Sequence, residues 1–193
     1  MNPLYVTDQL RQPARTWGPS LLLSLGMACL IGAGAQASFR LWFTDVPVTL
    51  QVFFVLLAGG LLGFPWGAVS VLEYLAMGAM GLPVFSEGQF GPQVLLGPTG
   101  GYLLAFVLAA ALIGYVTDRG KNRWLIGAAM IVSVLLILLC GGVWRWLMFG
   151  HSWSAVFGLA VLPFLAEDVL KAVVAWSIVV KARQSFLSSK GVQ

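Results

Sequence analysis

Apolar residues run through this chain in long blocks, broken by short polar stretches at regular intervals. A helix crossing a bilayer needs about 20 mostly apolar residues, since the hydrocarbon core is about 30 Å thick and each residue rises about 1.5 Å. Six blocks meet that pattern, at about residues 19–39, 48–64, 66–83, 99–117, 124–144 and 163–181. The second and third are short. Pro65 separates them, because it has no backbone N–H and ends the helix before it, which predicts a tight hairpin at a membrane face. The stretch Ser86-Glu87-Gly88-Gln89-Phe90-Gly91-Pro92 is polar and glycine-rich and reads as a loop. Residues 145–162 are only moderately apolar and are expected to lie along the interface. The fold class that follows is an all-α membrane protein, a bundle of six transmembrane helices forming one integral membrane domain over residues 1–193.

Composition agrees. Of 193 residues, 59% are hydrophobic and 9% charged, and the mean hydropathy is +0.90. A soluble domain carries about 25% charged residues, so this one cannot cover itself with a water-facing surface. Disordered chains are polar and charge-rich, and two cysteines make no disulfide scaffold. The net charge of +4 informs orientation in the bilayer and is no argument for nucleic-acid binding.

Lys and Arg set the expected orientation, because positive charge accumulates on the cytoplasmic side. With the N-terminus inside, Arg11, Arg15, Arg119, Lys121, Arg123, Lys181, Arg183 and Lys190 all lie inside. Arg40 and Arg145 lie outside, and Lys171 falls within the sixth span. Eight against two places both termini in the cytoplasm. Trp17, Trp42, Trp66, Trp124, Trp144 and Trp146 fall near the expected span ends, as interfacial aromatics do. The N-terminal segment has the charges Asp8, Arg11 and Arg15 and no small-residue cleavage site after a short apolar core, so no cleavable signal is expected.

Ionisable groups within a span are costly and are usually paired or functional. In Glu167-Asp168-Val169-Leu170-Lys171, Asp168 and Lys171 are i,i+3 and Glu167 and Lys171 are i,i+4, so each pair shares a helix face. Asp168 and Lys171 lie about 7.5 and 12 Å below the start at Pro163, in the outer half of the membrane. One reading is a self-neutralising ion pair. The other is a head-group site offering a polar ligand an acceptor beside a cation. On this topology Arg40, Glu87, Gln89, Thr99, Gly100, Gly101 and Tyr102 reach the same outer side and can share one cavity with Asp168 and Lys171. Gly100 and Gly101 fit either close ligand approach or helix packing. Glu73, halfway along the third span, has no partner in its own helix and no assigned role. Ala28 and Gly32 are small residues four apart on the first span; internal packing and a partner-docking face both fit them.

Other chemistry is not indicated. His151 stands alone, with no second His or Cys at ligand spacing, so no metal site and no cofactor are expected. Cys29 and Cys140 lie in apolar spans. No phosphate-cradling glycine–lysine loop, Gly-x-Ser-x-Gly or His-Glu-x-x-His occurs, so neither ATP hydrolysis nor another catalytic activity is expected of this chain.

Four separated motifs, Val46-Pro-Val-Thr-Leu-Gln51, Gly81-Leu-Pro-Val-Phe85, Leu96-Gly-Pro-Thr-Gly-Gly-Tyr102 and Leu162-Pro-Phe-Leu-Ala-Glu-Asp-Val-Leu-Lys171, resemble the BioY family. These are the biotin-specific S components of energy-coupling factor (ECF) transporters, and the resemblance covers about residues 26–182. It implies a six-helix bundle in a prokaryotic cell (inner) membrane that captures biotin from outside for delivery to the cytoplasm. It implies as partners biotin, membrane lipid, a transmembrane T component and two cytoplasmic ATPase subunits. It assigns Asp168 and Lys171 to biotin and aligns the family's Gly-Pro-Thr-Gly-Gly stretch with residues 97–101. It gives Ala28 and Gly32 to docking of the T component, with Gly in place of a second Ala. Glu73 departs from the apolar residue expected there. The alternatives are an S component for another vitamin, an intramembrane enzyme, or a structural membrane subunit.

Overall fold

The structure, a computed structural model, describes residues 17–44, 46–119, 122–150 and 152–189. Arg11, Arg15, Lys121, His151 and Lys190 lie outside the described residues.

Helix α1 spans Trp17–Gln36 and leads into a two-residue strand, β1 (Ser38–Phe39), which pairs antiparallel with β2 (Val48–Thr49), Ser38 opposite Thr49. Helix α2 (Gln51–Leu57) runs on through a π turn, Ala58–Leu62, and α3 covers Trp66–Ala79. A 3₁₀ turn (Ser86–Gly88) and the short α4 (Pro92–Leu96) precede α5 (Gly100–Arg119). Helix α6 runs Arg123–Phe149, and α7 (Trp153–Val156) passes through a second π turn, Phe157–Val161, into α8 (Leu162–Ser189). Among the described residues, α1, α5 and α6 are each long and apolar enough to cross a bilayer.

Two details depart from the sequence reading. The loop after α1 is a small β-hairpin, which two-residue strands are too short to announce by alternation. Residues 145–149 continue α6, so Arg145 is a buried helix residue and not part of an outer segment. The helix stops where Gly150 takes the left-handed conformation, φ 66°, and Ser152 Oγ caps the next one by accepting from Ala155 N.

Contacts sort the two ends of the bundle. At one end the rings of Trp17 and Trp66 meet at 5.7 Å, Phe64 N donates to Asp118 Oδ2 at 2.8 Å, and Trp124 packs on Trp176 at 5.2 Å. At the other end Gln36 Nε2 donates to Phe85 O at 2.9 Å and Trp144 Nε1 to Gly97 O at 3.0 Å. Between them, small side chains let helices close up: a Cβ on Gly59 would lie 2.7 Å from Ala110 O, so only glycine lets the π turn rest on α5. The core is mostly apolar, with Val55, Leu56, Ile113, Met130, Val134 and Val179 buried.

Candidate functional site

A cavity opens at the Gln36–Trp144 end, between the β-hairpin, the 3₁₀ turn, α5, α6 and α8. Its wall is mostly apolar, with Val52, Phe85, Leu103, Phe106, Leu138 and Phe164 among its residues. Its polar lining residues are Thr49, Gln51, Ser86, Thr99, Tyr102, Glu167, Asp168 and Lys171. An apolar wall with a few converging polar groups is how small-molecule sites are built.

Three of these residues meet at Lys171. Its ammonium donates to Asp168 Oδ1 at 2.9 Å and to the carbonyl oxygen of Thr49 at 2.6 Å, and it lies 2.6 Å from Glu167 Oε2. The helical spacing i,i+3 and i,i+4 brings the two carboxylates to the lysine, and the hairpin register brings the Thr49 carbonyl. Asp168 is almost fully buried, whereas the Glu167 side chain keeps 27% exposure. Beside them Thr49 Oγ1 donates to Gln51 Oε1 at 3.2 Å, and Gln51 Nε2 donates to the hydroxyl of Tyr74. Tyr74 meets Phe85 edge-on at 5.5 Å, so this network reaches the loop after α3.

The residues expected at the site are not all on its wall. Thr99, Tyr102, Asp168 and Lys171 line it together. Arg40 and Glu87 pair with each other, by two hydrogen bonds from the guanidinium to the carboxylate, next to the cavity-lining Ser86. Glu87 takes the left-handed conformation, φ 60° and ψ 28°, which is sparsely populated outside glycine. Gln89 lines a neighbouring open cleft with Phe90, Gln93 and Pro98, which meets the first cavity at Thr99.

Gly100 and Gly101 are not among the residues lining the cavity, and a Cβ at Gly100 would run into Leu95 O of α4. A Cβ at Gly101 would stand 2.8 Å from Cys140 O and against the Trp144 ring, so these glycines serve close helix packing. Ala28 and Gly32 also turn inward. Ala28 is fully buried, and a Cβ at Gly32 would touch Val84 at 3.4 Å, because the loop after α3 folds back over α1. In this structure the pair packs within the chain.

Sequence reasoning passed over Thr49, Gln51 and Glu167 as site residues. Glu167 was visible at helical spacing from Lys171. Thr49 and Gln51 carried a weaker signal, two polar residues at the opening of an apolar block.

The family model described as the BioY family matches residues 9–188. The chain is 43% identical over 146 residues to "Probable biotin transporter BioY" of Pyrococcus horikoshii, covering 76% of this chain and 85% of that one. It is 38% identical over 156 residues to "Biotin transporter BioY" of Thermotoga maritima, covering 80% and 90%. Its fold matches the 2.1 Å crystal structure of the S-component for biotin from an ECF-type ABC transporter, with a TM-score of 0.81 and 27% identity over 89% of this chain and 94% of that one.

Proposed function

The chain belongs to the BioY family, and we propose that it is a membrane-embedded binding component that captures biotin from outside and delivers it to the cytoplasm. It is not an enzyme, and it takes biotin as its transported ligand without a cofactor. One observation carries this reading: a buried Asp168–Lys171 pair stands on the wall of a mostly apolar cavity. Biotin has a matching division. Its ureido ring offers two N–H donors around a carbonyl acceptor, and its thiophane ring and valeryl chain are apolar. Asp168 accepts from an N–H, Lys171 donates to the carbonyl, and the Phe106, Leu138 and Phe164 walls take the rest. Thr99 and Tyr102 complete the wall. Arg40, paired with Glu87 next to the cavity-lining Ser86, takes the valerate carboxylate.

The chain forms one integral domain of six spans in a prokaryotic inner membrane, with both termini cytoplasmic and the cavity opening outward. Delivery is energised by an ECF module, a T component with two cytoplasmic ATPase subunits, because this sequence holds no phosphate-cradling loop of its own.

Radiolabelled biotin binding to the purified, detergent-solubilised chain tests the proposal. Saturable binding of about one biotin per monodisperse chain is expected. Monodisperse protein that binds no biotin, or prefers another vitamin, overturns it.

A further inference from the structure

The ammonium of Lys171 has three N–H donors, and three protein oxygens already stand within 2.9 Å of it: Thr49 O, Asp168 Oδ1 and Glu167 Oε2. A ligand carbonyl reaches Lys171 only by replacing one of them. Thr49 O belongs to the backbone of the paired hairpin, and Asp168 is held in the interior with only 5% of its side chain exposed. Glu167 is the exchangeable partner: its side chain keeps 27% exposure and reaches Lys171 through a flexible stem along the cavity wall.

A carboxylate that gives up the lysine inside a mostly apolar cavity needs another donor. The ligand proposed above supplies one. A cyclic urea presents N–H, C=O and N–H along one edge, two donors flanking an acceptor. Around Lys171 the protein presents the complement, a carboxylate, a cation and a second carboxylate. We infer that Glu167 is the second ureido acceptor: on binding it leaves Lys171 to the ligand carbonyl and takes the ureido N–H that Asp168 does not. Both N–H groups then meet a carboxylate, and the site selects for an unsubstituted cyclic urea. This rests on the biotin reading and adds a specificity-determining residue to it.

The test is an affinity cycle with biotin and its two mono-N-methyl derivatives, one for each ureido nitrogen, on the purified chain, Glu167→Ala and Glu167→Gln. A hydrogen bond to a charged group contributes about tenfold to a hundredfold in affinity. The wild-type chain should discriminate against both derivatives by at least about tenfold. Glu167→Ala should lose discrimination against one derivative, to within about twofold, and keep it against the other, whose N–H belongs to Asp168. Glu167→Gln, which still has an acceptor oxygen, should keep discrimination against both.

Equal discrimination in the wild type and Glu167→Ala would make Glu167 a counterion to Lys171 only and overturn the inference. Folded Glu167→Ala that binds none of the three compounds also overturns it, since one acceptor does not account for complete loss. If the wild-type chain itself binds no biotin, the failure lies with the proposed function and not with this assignment.

Discussion

Lys171 Nζ donates to Thr49 O at 2.6 Å, a hydrogen bond between residues 122 apart in the chain. It ties the hairpin after α1 to α8, and both residues line the cavity. With the Asp168 contact it makes Lys171 both a candidate ligand group and a structural tie. These roles separate by substitution. Asp168→Asn keeps the shape and removes the charge, so biotin affinity should fall about tenfold to a hundredfold. Lys171→Ala should do at least as much, because it leaves Asp168 buried without its cation. The measurement is biotin binding per folded molecule, with monodispersity checked for each variant. Normal affinity in well-folded protein for both would return the pair to a purely structural role.

The sequence carried much of this site and less of its boundaries. Asp168 and Lys171 were legible because charge inside an apolar block is conspicuous and helical spacing is short-range. The contact with Thr49 was not legible, since no local rule joins residues so far apart. Arg40 and Glu87 were both placed on the outer side, yet their mutual pairing depends on the hairpin and the left-handed Glu87, features of the folded loops. The glycines were ambiguous by nature: a missing side chain serves ligand approach and helix packing alike, and only the neighbours of each decide.

Those neighbours make Gly101 a stability residue. Gly101→Ala pushes a methyl group into Cys140 O and the Trp144 ring. Overpacking of this kind costs about 1–3 kcal/mol. The expected result is a lower unfolding temperature of the solubilised chain with unchanged biotin affinity in the folded fraction. Lost affinity at unchanged stability would instead place the ligand against this backbone.

Orientation has its own test. Arg119, over the Tyr115 ring, and Arg123, over Trp124, stand at the end where Trp17 and Trp66 meet, and positive charge marks the cytoplasmic side. Reporter fusions after residue 193 should therefore read as cytoplasmic, and fusions within residues 86–91 as external. The opposite pattern would turn the cavity toward the cytoplasm and remove capture from outside.

Glu73 gains a partner that its own helix could not give it. Ser24 Oγ approaches Glu73 Oε1 at 2.9 Å across α1 and α3 and Leu21 O, also at 2.9 Å, while Glu73 Oε2 is buried with no hydrogen-bond partner. The carboxylate is thus half-satisfied, and each partner responds differently to removal. Ser24→Ala takes away the one hydroxyl serving Glu73 and should destabilise the chain by on the order of 1 kcal/mol or more. Glu73→Leu removes the awkward group itself, and Ser24 retains Leu21 O, so stability should hold or rise. The same substitution decides whether Glu73 couples transport to an ion, the one such role an acidic residue in this span offers. With an external module as the energy source, cells carrying Glu73→Leu should take up biotin at the normal rate. Thermal unfolding of both variants and uptake in cells together settle the matter. A stable Glu73→Leu chain that binds biotin yet fails to take it up would make this carboxylate part of the transport step.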